Sequence, residues 1–88
     1  MEILRCSSAG TMESSDAYVE IMPDSSGLNI QVESVVEKQF GEKIRESSKD
    51  VLHAYGVEKV TVRVIDRGAL ECVIRARVET AIIRGKGE

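Results

Sequence analysis

Apolar and polar residues alternate from Ala17 to Met22, with Ala17, Val19 and Ile21 on one side and Tyr18, Glu20 and Met22 on the other. That period of two predicts a half-buried strand over 17–22. Leu28, Ile30 and Val32 alternate with Asn29, Gln31 and Glu33 in the same way. Between the two runs lies Pro23-Asp24-Ser25-Ser26-Gly27, dense in turn-forming residues. The pair therefore predicts a hairpin with a longer loop. The period then changes: Val36, Phe40, Ile44, Val51, Leu52 and Tyr55 follow helical spacing, with a polar gap at Ser47-Ser48. Ser34 with Glu37 three residues later matches a capping box, in which each side chain satisfies the other's free backbone N–H. Gly41 inside this helix costs roughly 1 kcal/mol against Ala. Close backbone packing against the sheet or a slightly weak helix would account for it. Gly56 suits the left-handed residue that ends a helix.

Val60, Val62 and Val64 line one face of a third strand over 57–66, opposite Thr61, Arg63 and Ile65, and β-branched residues suit a pleated sheet. Asp66-Arg67-Gly68 breaks it. Residues 69–84 fit two patterns. Cys72, Ile74, Ala76 and Val78 alternate as a strand would. Leu70, Val73, Ile74, Val78, Ala81 and Ile82 recur at three and four, as on a helix. The helical count is better, its residues are good helix formers, and sixteen residues is long for a strand. A helix is expected, with Asp66 as its cap or a nearby anchor. The fold class predicted is α+β: a two-layer sandwich ordered strand-strand-helix-strand-helix, with a three-stranded mixed sheet and two helices on one face. Residues 17–84 make a single α/β domain, 1–16 a flexible N-terminal arm and 85–88 a polar tail.

Composition narrows the function. Eighty-eight residues make one domain with a modest core. A net charge of −3 and only three aromatic residues (Phe40, Tyr18 and Tyr55) leave neither a basic patch for nucleic acid nor a base-stacking platform. The opening Met1-Glu2-Ile3-Leu4-Arg5-Cys6 is too short and polar for a signal peptide, and no apolar run approaches the ~20 residues that span a bilayer. A cytoplasmic location, no membrane and free thiols at Cys6 and Cys72 are the expectations. Two Cys and His53, far apart, lack zinc-ligand spacing, so no metal is expected.

No catalytic constellation stands out. The segment Gly10-Thr11-Met12-Glu13-Ser14-Ser15-Asp16 sets two hydroxyls between two carboxylates in a polar stretch ahead of the first strand. A serine with exposure and no base nearby points to a residue that is modified rather than one that attacks. This segment resembles the attachment site of the citrate lyase acyl carrier proteins, the gamma subunits of that complex. Two further blocks are similar to the same family in order and spacing: Ser34-Val35-Val36-Glu37-Lys38-Gln39-Phe40-Gly41, and the run from Asp66 to Glu79 that begins Asp66-Arg67-Gly68-Ala69-Leu70-Glu71-Cys72. The resemblance implies that Ser14 carries 2'-(5''-phosphoribosyl)-3'-dephospho-coenzyme A through a phosphodiester. Met12 stands where the family often has Leu, and Ser15 where it often has Gly or Ser. The implied role is a non-catalytic carrier presenting acetyl and citryl thioesters. Its implied partners are the alpha acyl transferase subunit, the beta citryl lyase subunit and a separate prosthetic-group transferase.

Other residues are weighed beside that reading. Glu13 and Asp16 serve recognition by the attaching enzyme, or are solvated charges. Arg75 and Arg77 lie about 200° apart on a helix and cannot form one patch. Arg77 is expected to pair with a nearby acid, Asp66 being the candidate, or to hold the phosphates of the arm. Lys38, Glu42, Lys43, Arg45, Glu46 and Lys49 form a polar helix face, either solvated or a docking surface. Cys72 is expected as a small core residue. Three rival readings remain: a malonate decarboxylase-type carrier, an α/β interaction domain with an unmodified arm, and a hydrolase pairing Ser14 with His53.

Overall fold

The computed structural model describes residues 2–34 and 37–86. Its elements are β1 (Ser7–Gly10), β2 (Ala17–Pro23), β3 (Asn29–Ser34), α1 (Glu37–Ala54), β4 (Val60–Asp66) and α2 (Glu71–Gly85). The fold is α+β, with two helices and a mixed sheet. The sheet has four strands rather than three, in the order β1-β2-β4-β3. β1 runs antiparallel to β2, β2 antiparallel to β4, and β3 parallel to β4.

The added strand lies in the stretch without a readable period. Ser7, Ser8, Ala9 and Gly10 are too small to display alternation, and only Ala9 among them is buried. Pairing with Tyr18 to Ile21 makes them a strand. A second difference concerns the hairpin. β2 and β3 do not pair; β4 lies between them. The three inward valines of β4 are fully buried, and a place flanked on both edges gives them the deepest cover. Pairs such as Val19 with Val64 and Ile21 with Val62 bring the apolar faces of β2 and β4 together. The true hairpin is β1–β2, and its connection is residues 11–16.

Helix α1 packs over β3, α2 over β1 and β2, and the helices pack on each other. Ile44, Leu52, Ile74, Val78 and Ile82 supply the helical side of the core. The opposite sheet face carries a charged row, in which Arg63 pairs with Glu20 (3.2 Å) and Glu33 (3.1 Å) on the flanking strands. Gly56, at φ +66°, ends α1 as expected. Its N–H donates to the His53 carbonyl, and the next N–H, of Val57, reaches back to Leu52. This is a Schellman arrangement, and buried Val57 and Leu52 supply its apolar contact. It absorbs Val57, so β4 starts at Val60 rather than Val57. The capping box expected from Ser34 and Glu37, the place of Val36 in the apolar stripe and the Lys38 side chain fall outside the described residues. Ser34 itself ends β3, and its hydroxyl donates to Asp66.

Four side chains sit differently from expectation. Phe40 is exposed: at that height α1 faces the start of α2, and Phe40, Ile44, Leu70 and Ile74 line an open cavity of about 320 Å³. Cys72 is exposed, because α2 buries Ile74, Val78, Ala81 and Ile82, and a residue two before Ile74 points away from that stripe. The Ser47-Ser48 gap lies inside the buried stripe, where the Ser47 hydroxyl donates to Glu71 (2.8 Å). No described helix is long and apolar enough to cross a membrane.

The chain start is strapped to the end of α2. Ile3 is buried, the Leu4 and Arg5 N–H groups donate to the Gly85 carbonyl, and the Ser7 hydroxyl donates to the Ala81 carbonyl. Gly85 allows this approach, since a Cβ there would lie 2.8 Å from Ser7 Oγ. At the other end of β1, Gly10 has φ +93°, and a Cβ would lie 1.9 Å from the Ala17 carbonyl oxygen. Gly68 shares that φ but has open space around it. Gly10→Ala should therefore cost about 3 kcal/mol, the sum of left-handed strain and a backbone clash. Gly68→Ala should cost only about 1–2 kcal/mol, from the strain alone. Urea midpoints of the two variants check the difference.

Candidate modification site

Residues 11–15 are all exposed, and the backbone turns sharply through them. The Asp16 N–H donates to the Glu13 carbonyl (3.2 Å), and Ser15 takes φ +67°, a left-handed value uncommon outside glycine. Behind the turn, the Asp16 carboxylate accepts from four donors: the Thr11 hydroxyl (2.6 Å), the Ala17 N–H (2.7 Å), Arg77 Nε (3.1 Å) and Arg77 Nη2 (3.0 Å). The Glu13 N–H donates in turn to the Thr11 hydroxyl. The loop is thus held from within by Thr11 and from outside by the flat fork of an arginine on α2.

A second loop backs the first. The Ser15 N–H donates to the Arg67 carbonyl (2.8 Å) and the Arg67 N–H to the Asp16 carbonyl (2.9 Å), which extends the β2–β4 ladder beyond Ala17 and Asp66. Asp66 is buried, and its carboxylate accepts from Ser34 Oγ (2.8 Å), the Gly68 N–H (3.2 Å) and the Ala69 N–H (2.9 Å). It anchors the approach to α2, as its position suggested; the residue at the helix N-cap is Leu70, without a side-chain cap.

The geometry reassigns two residues. Arg77 pairs with Asp16, not Asp66, because Asp66 is already occupied by two backbone N–H groups and a hydroxyl. Asp16 is turned toward the protein as a structural acceptor, which leaves Glu13 as the exposed acid beside Ser14. Arg75 reaches Glu71 (3.5 Å) and Asp50 (3.8 Å), away from Arg77. The sequence marks Arg67 only by its place between Asp66 and Gly68.

Ser14 and Ser15 are exposed, and neither hydroxyl has a hydrogen-bond partner among the described residues. His53 lies in the last turn of α1, near the Val60 end of β4, while the serine loop joins the Asp66 end. Seven residues of strand separate the two by about 20 Å, too far for a base to activate Ser14. Among the described residues no cluster of His, Cys, Asp or Glu could hold a metal ion. The arrangement displays a hydroxyl on a firmly held turn, with the sole histidine at the other end of the sheet.

Thr11 and Ala17, then Arg77, hold the Asp16 carboxyl below its ordinary 3.8, against an opposing desolvation. A lowered carboxyl favours the folded state above pH 3.8, and that contribution fades as pH falls through the folded value. Asp16→Asn should therefore be less stable than the parent at neutral pH, and the gap should close below about pH 3.8. Urea denaturation across that range measures it.

Over residues 5–85 the chain matches the family described as malonate decarboxylase delta subunit. It is 46% identical to a citrate lyase acyl carrier protein of Latilactobacillus sakei, over all of this chain and 87% of that one. It is 52% identical to a protein of the same name from Serratia proteamaculans, over 96% of this chain and 83% of that one. A crystal structure from Thermus thermophilus shares the fold at TM-score 0.64 and 10% identity, over 96% of this chain and 16% of that chain. Identity at the level of the two carrier proteins, along nearly the whole length, places the chain in the citrate lyase acyl carrier protein family.

Proposed function

We propose that this chain is the acyl carrier subunit of a cytoplasmic citrate lyase complex, with phosphoribosyl-dephospho-coenzyme A joined to Ser14 through a phosphodiester. The observation that carries the reading is the exposed Ser14 hydroxyl on a turn held from behind by Asp16, Arg77 and Arg67. The residues present fit such a group. Access is open along 11–15, the hydroxyl has no competing partner among the described residues, and the backbone of an exposed arginine, Arg67, is hydrogen-bonded to the residue after Ser14. When bound, the group supplies a terminal thiol that carries acyl groups as thioesters.

The chain's own part is mechanical. The loop fixes the root of the arm, so the arm's tip explores a limited volume at high effective concentration around partner active sites. The alpha transferase and beta lyase subunits perform the chemistry, and a separate transferase attaches the arm. Glu13, exposed beside Ser14, is a recognition contact for that transferase. The description of the matched family keeps a malonate decarboxylase-type carrier as the second reading. The citrate lyase name of relatives at 46–52% identity favours the first.

Co-production with the arm-attaching enzymes, followed by intact-mass and peptide-mass measurement, tests the assignment. The expected result is one adduct of the mass of phosphoribosyl-dephospho-coenzyme A on the peptide holding Ser14, lost in Ser14→Ala and kept in Ser15→Ala. An adduct that survives Ser14→Ala moves the site to Ser15. No adduct, with enzymes shown to load another carrier, refutes the carrier reading.

A further inference from the structure

We infer that the Arg67 guanidinium pairs with the phosphodiester formed on Ser14 and orients the root of the arm. The inference rests on the carrier reading above. Attachment bonds a phosphorus to Ser14 Oγ and puts a negative charge on its free oxygens, near the exposed carboxylate of Glu13. Asp16 is already matched by Arg77. The loop and its backing turn, residues 11–17 and 66–70, contain one cation, Arg67. Its backbone is held at both ends: its N–H donates to Asp16, its carbonyl accepts from Ser15, and the next two N–H groups donate to Asp66. Neighbouring Cα atoms are ~3.8 Å apart, so Ser14 is one residue from Ser15, whose N–H meets the Arg67 carbonyl.

Among the described residues the guanidinium is uncommitted. Arg45, Arg63, Arg75 and Arg77 pair with carboxylates, and Arg84 donates to the Ser8 carbonyl. Arg67 is exposed, and its side chain has no partner among the described residues. Arg5, also without a side-chain partner there, precedes β1 and lies at the end of that strand away from the loop. An unpaired guanidinium on a held backbone beside a serine suits bidentate contact with phosphate oxygens, which an ammonium reproduces only as a point charge.

Nitrogen-15-labelled protein, before and after attachment, supplies the test, with peptide mass confirming the adduct at Ser14. The Arg67 Nε–Hε resonance should move on attachment by several times the change at Arg77, and the movement should shrink as salt is added. Arg67→Gln, which removes no contact of the unmodified fold, should shift the phosphorus-31 resonance of the loaded protein. A correctly loaded protein in which the Arg67 resonance stays put at low salt, or in which Arg67→Gln leaves the phosphorus signal unchanged, overturns the pairing alone. Absence of an adduct at Ser14 removes the carrier site and the pairing together.

Discussion

A carboxylate that accepts from four donors cannot swing away without leaving several of them unpaired, and Asp16 is in that position. Two of its donors lie within the loop region and two on a helix 61 residues further along. The contact converts a six-residue hairpin connection, the kind of segment that commonly moves, into a turn with one defined shape. The rest of the site follows from it. With Asp16 turned inward, the backbone lies beside Arg67, Ser15 adopts its left-handed conformation, and Ser14 is left facing solvent.

The one-sided sheet supplies the frame for this contact. Helices cover only one face, so Asp16 at the start of β2 and Arg77 on α2 come from the two layers of the sandwich and meet where the sheet ends. Asp66 does the same work one strand over, joining the ends of β3 and β4 to the start of α2. Two acids thus close the same end of the molecule, the end at which the serine loop joins β1 to β2. At the opposite end Asp24 accepts from Ser26 and from Thr61 at the start of β4, and the Schellman turn at Gly56 and the strap across Gly85 add further hydrogen bonds, most of them from backbone N–H groups.

The regular elements were legible where side chains have a period. Ala17–Met22, Leu28–Glu33 and the valines of β4 announce their strands, and the stripe from Ile44 to Leu52 announces α1. β1 was not legible, because Ser-Ser-Ala-Gly has no side chain large enough to mark a face. Strand order was not legible either: nearness in sequence favoured pairing β2 with β3, and only the demand of three fully buried valines for cover on both edges reverses it. At the site, the motif singles out Ser14, and the structure shows it exposed. Arg77 could be read as half of an ion pair, but its partner depended on Asp66 being filled first by local N–H groups. Arg67 carries no signal, since its backbone contact with the loop comes from a ladder that runs past the end of β4 implied by the pattern.

The separation between Asp16 and Arg77 also bears on when the loop acquires its shape. Synthesis runs from the N-terminus, so Ser14 leaves the ribosome long before the arginine that shapes its surroundings. β2 likewise waits for β4, and β1 for α2, because each pairs or packs across most of the chain. Contacts so distant in sequence form late, after the cost of closing long loops has been met. An enzyme that recognises the turn by its folded form therefore meets its substrate only on a nearly complete chain. A truncated product ending before α2 would present the same serine without the shape around it.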